Sequence, residues 1–204
     1  MAFPEFFAHA PAITLRDPLA ELLGAAEDGL IEYHFVDAVK LAGHSCPTVA
    51  GAWLMSIRAL RALYGDEIPV RGNIAVAFHE DLESGVAGVL ASIATLLTGA
   101  AADGGFKGLG GQHVRRGLLT FGLSGGSAMT FTRLDTKAAV SASFWPNLVP
   151  PDQHLGSLLP FVMQGSANPA EKKRFGELWQ DRVKRILIDH GDDPALVTLR
   201  LIQR

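Results

Sequence analysis

The stretch "SGVAGVLASIATLLTGAAA" at 84–102 carries no charged side chain, so a chain that holds it must hide it in a bilayer or in a core. By residue count alone it is long enough to span a membrane. Its pattern points to the core instead. Val86, Val89, Leu90, Ile93, Leu96 and Leu97 recur at helical spacing, while Ala87, Gly88, Ala91 and Ala94 fill the positions between them. A helix with bulky residues on one side and small ones on the rest is expected to be buried on two sides in a folded domain, not to cross a bilayer.

The rest of the chain can supply that core. Its 204 residues suit one domain, or one domain with an appendage, and 48% apolar against 19% charged residues is the composition of a compact fold. A formal charge of -3, with no Lys/Arg cluster interleaved with aromatics, argues against a nucleic-acid partner. The start "MAFPEFFAHAPAITLRDP" lacks a cationic segment followed by a long apolar run, so no secretory signal is expected. One cysteine without a disulfide partner predicts a reducing, cytoplasmic setting.

Local punctuation sets the order of elements. "DPLAELLGAAEDG" predicts a short helix bounded by glycine, and "LIEYHF" a short segment leading into a helix over 35–42 that Gly43 caps. A second helix runs from Pro47 to Tyr64 and stops at Gly65. In "GNIAVAFHED", Ile74, Val76 and Phe78 alternate with Ala75, Ala77 and His79, the period of a strand. After the buried helix at 86–98, "DGGFKGLGG" lacks phosphate-loop spacing and predicts a lid or a turn rich in positive φ. Strands are expected at about 113–122, 127–134 and 137–145, the first two joined by the turn "SGGS".

Proline-rich "WPNLVPP" marks a break at 145–151. Beyond it, a helix around 152–163 precedes an amphipathic one from an Asn168 N-cap to Gly191, with Phe175, Leu178, Trp179, Val183, Ile186 and Leu187 on one face. "ALVTLRLIQ" ends the chain as an edge strand. The expected fold class is α+β, a mostly antiparallel sheet with helices packed on one face. The expected organisation is a core domain over 1–150 and a C-terminal helical extension with a final strand over 151–204, packed on that core.

The lone cysteine lies in "LAGHSCPT", two residues after a histidine and directly before a proline. With Pro47 as the first helical residue, Cys46 is the N-cap, facing the unpaired N–H groups and the positive end of the helix. Such a setting favours the thiolate, the form that acts as nucleophile or metal ligand. His44 and Cys46 together offer one nitrogen and one sulfur, enough to anchor a zinc or other transition metal but not to complete its coordination. The bland alternative is a buried cysteine that acts as a small hydrophobe. For a third ligand, His79 is the best placed, at a strand end and followed by Glu80 and Asp81. His34 and His113 are weaker candidates, while His9, His154 and His190 read as surface residues.

The segment "FVDAVKLAGHSCPTVAGAWLMSIRALRALYG" resembles the opening of the FmdE-like family of formylmethanofuran dehydrogenase components, with a helix, a G-H-x-C-P turn and a long helix in that order. The likeness continues through "IAVAFHEDLESGVAGVLASIATLLTGAAADGGFKGLGG" and covers about 35–122. It implies an α+β core, a homodimer, and a cleft in which His44 and Cys46 bind a metal, with Glu80 as the acidic residue before the second helix. Family members often carry another histidine where this chain has Ala42, and cysteines where it has Ser84 and Ala100. His79 is offered as the replacement nitrogen. The cysteine-rich zinc finger that ends many members has no counterpart in a chain with one cysteine.

Three function classes follow. The first is a metal-dependent enzyme acting on a small molecule, with zinc on His44, Cys46 and His79 and an open position for water or substrate. The second is a non-catalytic metal-binding accessory protein of an oxidoreductase. The third is metal-free thiol chemistry with Cys46 as the catalytic nucleophile and His44 as its base.

Overall fold

The computed structural model describes residues 3–124 and 128–202. Strand β1 (Ile13–Arg16) pairs antiparallel with β2 (Leu30–Tyr33) across the short helix α1 (Pro18–Leu22). Helix α2 (Phe35–Ala42) ends at Gly43, whose φ of 74° is the left-handed cap that glycine takes without strain. Helix α3 (Pro47–Tyr64) begins four residues later and is the central helix of the core. Trp53 is fully buried on it, and its indole N–H donates to the Pro11 carbonyl at 2.8 Å, tying the N-terminal segment to the helix.

The main sheet has five strands: β3 (Ile74–Phe78), β4 (Leu119–Thr120), β5 (Met129–Arg133), β6 (Ala139–Phe144) and β7 (Val197–Ile202). Their order is β4-β3-β5-β6-β7, and only the β3–β4 pair is parallel. The class is therefore α+β with a mostly antiparallel sheet. In β3, Ile74, Val76 and Phe78 are buried beneath the helices, while Ala75 and Ala77 lie half-buried on the other face. Helix α3 packs on β5, β6 and β7, and α4 (Ala87–Thr98) packs on β3 and α3. The uncharged stretch at 84–102 thus contributes a core helix. Among the described residues no helix is long and apolar enough to cross a membrane.

Two sequence expectations need correction. The segment at 113–122 contributes only the two-residue strand β4. Upstream of it, the Arg115 carbonyl accepts from the Ala101 amide and the Arg115 amide donates to the Phe106 carbonyl, so the backbone is spent on the preceding loop rather than on a neighbouring strand. Nor do the first two of the three expected strands form a hairpin: β4 and β5 lie on opposite sides of β3. Of the "SGGS" turn placed between them, residues 125–127 lie outside the described residues. The glycine loop does carry positive φ, at Gly108, Gly110 and Gly111.

The C-terminal segment adds α5 (Gln153–Met163), α6 (Pro169–Lys184) and a π-helical continuation at Arg185–Asp189. Asn168 caps α6 through its side chain, which accepts from the Glu171 amide at 3.0 Å, while the Glu171 carboxylate accepts from the Asn168 amide at 2.8 Å. Val183, Ile186 and Leu187 are buried, and α6 and its continuation pack on α3. Strand β7 extends the sheet along β6.

A buried ion cluster joins distant parts of the chain. Asp17 is 5% exposed and N-caps α1, accepting from the Leu19 amide at 2.9 Å. Its carboxylate also receives Arg71 and, at 2.7 Å, Arg115. Arg71 donates further to the Leu96 and Leu97 carbonyls at the end of α4, both at 3.1 Å. Gly72 and Gly99 make room for Arg115: an added Cβ would stand 2.1 Å and 2.7 Å from its guanidinium.

Candidate functional site

The G-H-S-C-P turn connects α2 to α3, and both flanking elements hold it. Cys46 is the N-cap of α3, and its half-buried Sγ accepts from the Val49 amide at 3.4 Å. The ring of His44 is exposed, and its Nδ1 lies 2.9 Å from the Ala42 carbonyl. Because a carbonyl only accepts, Nδ1 carries the proton and a neutral His44 keeps its lone pair on Nε2. Between them, the Ser45 carbonyl accepts from Trp179 Nε1 at 3.0 Å and from Gln180 Nε2 at 3.2 Å, both on α6. Two donors on one carbonyl fix the turn from the C-terminal side.

Directly beyond the turn is a cavity of about 230 Å³. Met55, Phe78, Leu90 and Phe144 line it. Pro47 and Thr48, the first residues of α3, line it too, as do Val86 at the start of α4 and Glu80. Strand β3 delivers Phe78 into this space by its alternation, and the chain then turns so that Glu80 follows on the same side. The turn closes at Gly85, which has a φ of 52° and where an added Cβ would lie 3.4 Å from Glu80 Oε2. The starts of two helices thus converge on the cavity, and their N-terminal ends favour negative charge there. Among the described residues no side chain makes an ion pair with Glu80, and it is the only charged residue of the lining.

The resemblance implies a metal here, and a metal needs several donors that converge. His44 fits a ligand's role, with Nδ1–H held by a backbone carbonyl and Nε2 free. His79 does not. Its Nδ1 lies 3.0 Å from the Leu123 carbonyl and its Nε2 3.2 Å from Thr130 Oγ1, so the first nitrogen donates and the second accepts the hydroxyl proton. The same period of two that sends Phe78 inward sends His79 to the opposite face of the sheet, beside Thr130. Among the described residues, no three His, Cys, Asp or Glu side chains stand where they could share a metal ion. The expected trio of His44, Cys46 and His79 therefore does not converge, and these residues do not fit a metal held within one chain.

The remaining candidates lie elsewhere. His34 precedes α2, where its backbone N–H donates to the Asp37 carboxylate at 3.0 Å, and its ring stands 3.3 Å from Glu32. His113 has a φ of 58° in the loop before β4 and does not line the cavity. In sequence, Phe78 and Leu90 read as core residues and "WPNLVPP" only as a break. In the fold Phe144 and Pro146, at the edge of that break, line the cavity. The available signal was the acidic turn after a strand end, a common position for a site. No family model matches the chain, and no curated protein matches it at a significant level.

Proposed function

We propose that this chain binds a small, mainly apolar molecule in the cavity at the start of α3, with the His44–Cys46 turn as the reactive group beside it. The observation that carries this is the cavity itself: about 230 Å³, walled by Met55, Phe78, Leu90 and Phe144, with one charged residue at its edge. Binding sites are concave and mostly apolar with few polar groups, and this volume is below the ~300 Å³ where drug-sized pockets begin, so the ligand is small. Cys46 and His44 are not among the described lining residues, but Pro47, which follows Cys46 directly, is; the turn supplies a thiol at a helix start and an imidazole with a free Nε2, the residue types that metal-free thiol chemistry uses. Val86 lines the cavity and is 47% exposed, so a Val86→Trp side chain adds bulk at the lining without entering the core. Ligand-observed NMR with benzyl alcohol should show binding to the native protein and none to Val86→Trp. Equal signals from both proteins would overturn the reading.

A second reading is a zinc or other transition-metal site on His44 and Cys46, as the likeness to the FmdE-like family suggests. The anchored Nδ1 of His44 favours it. The other donors would come from outside the set His44, Cys46 and His79. Zinc retained through gel filtration by the native protein and by His79→Ala, but lost from Cys46→Ala, is the expected pattern. Zinc retained by Cys46→Ala would remove this reading. The homodimer implied by the same likeness belongs here as well. An open groove of about 490 Å³ along α4, lined by Leu41, Leu82, Leu96, Leu119 and Phe121, offers the apolar surface it would cover, and sedimentation at micromolar concentration tests it.

A further inference from the structure

Resting on the cavity reading above, the geometry points to the class of molecule the cavity selects: a compact apolar amine, whose ammonium group meets the Glu80 carboxylate while its hydrocarbon body fills the space between Phe78, Phe144 and Leu90. Among the described residues the one charged side chain of the lining is negative. Among the described residues, Lys, Arg and His are absent from it, and Glu80 is its only ionisable residue. A carboxylate or phosphate entering this space would meet the like charge of Glu80 with no cationic side chain among the described lining residues, and the positive ends of the two helix starts already have the Glu80 carboxylate as their anion. A neutral ligand of the same shape fills the apolar space but makes no charged contact with the Glu80 carboxylate. An ammonium group restores what the carboxylate loses, through a charge-assisted hydrogen bond at the edge of an apolar wall.

The wall itself suits a cation. Phe78 and Phe144 both line the cavity, and aromatic faces attract ammonium groups within about 6 Å of the ring. Phe78 is held in place by stacking on Phe121, with ring centroids 5.1 Å apart. Among the described residues, Thr48 adds the one hydroxyl of the lining and can accept a second ammonium proton. Glu80 is positioned from its backbone, where its carbonyl accepts from the Gly122 amide at 3.1 Å, and its carboxylate is neither hydrogen-bonded nor ion-paired among the described residues. The volume of about 230 Å³ limits the body to the size of one ring or a short branched chain.

The test uses a matched set of probes of one shape: benzylamine, benzyl alcohol and benzoate, titrated into the native protein and into Glu80→Gln at pH 7. Isothermal titration should give benzylamine an affinity about tenfold or more above that of benzyl alcohol in the native protein, with benzoate weakest. In Glu80→Gln the advantage of benzylamine over benzyl alcohol should vanish. Benzyl alcohol and benzylamine binding equally to the native protein would overturn the amine selectivity and leave the cavity reading standing. If none of the three binds the native protein, the cavity reading fails and the inference fails with it. The native comparison alone decides the matter, so a folding defect in Glu80→Gln would not obscure the outcome.

Discussion

Asp17 and Glu80 are both carboxylates beside the first turn of a helix, and the fold treats them in opposite ways. Asp17 is buried, caps α1 and receives two arginines that arrive from positions 71 and 115. Its valences are filled, and so it can only hold elements together. Glu80 is exposed at the rim of a cavity and makes no ion pair among the described residues. The contrast teaches where to look for function in this chain: a closed charge belongs to stability, and an open one beside apolar walls is available to a ligand.

The strongest way to break the comparison is to open the closed site. Asp17→Asn keeps the shape but leaves Arg71 and Arg115 without their anion, and should cost about 3–5 kcal/mol in urea unfolding at pH 7. A loss below about 1 kcal/mol would mean that water already compensates the arginines. Next in size is Gly51→Ala, since an added Cβ on α3 would stand 2.4 Å from the Phe144 ring. Overpacking there should cost about 1–3 kcal/mol. Because Phe144 lines the cavity, its displacement should also weaken benzyl alcohol binding.

Acid tests the same contrast more gently. Burial alone would raise the pKa of Asp17, but the charges of Arg115 and Arg71 outweigh it and hold the carboxyl below its ordinary value. A group whose pKa is lower in the folded state stabilises the protein above the unfolded value of about 3.9, and that contribution is lost as pH falls through the folded value. Urea midpoints of the native protein should therefore drop from about pH 4 downward, and the drop should be shallower in Asp17→Asn. Identical slopes would contradict the assignment. The smallest effect belongs to the open site. Glu80→Gln should change stability by no more than about 0.5 kcal/mol, since an exposed, unpaired side chain holds nothing together.

Much of this fold is local and therefore legible. Gly43, Cys46 with Pro47, and Asn168 with Pro169 each mark a helix end by backbone chemistry that needs no distant partner, and each sits where the sequence places it. The alternation of Ile74, Val76 and Phe78 is equally plain. Carried one residue further, it assigns His79 to the opposite face, so the signal against a joint site with Cys46 is present in the same pattern. What local patterns could not reveal depends on long range. The Asp17 cluster links residues 54 and 98 positions apart. The insertion of β3 between β4 and β5 is a matter of topology. The cavity is built from α3, α4, β3, the end of β6 and the segment after it, and only packing brings them together.

The central claim, that the space at the start of α3 receives a ligand, is tested most directly by the methionines. Met55 lines the cavity and is 1% exposed, whereas Met163, at the end of α5, is 76% exposed and is not a lining residue. With only four methionines in the chain, a carbon-13 methyl spectrum resolves them singly. On titration with benzylamine, the Met55 methyl signal should move progressively and saturate while that of Met163 stays in place. A Met55 signal that does not move at saturating benzylamine would contradict the account.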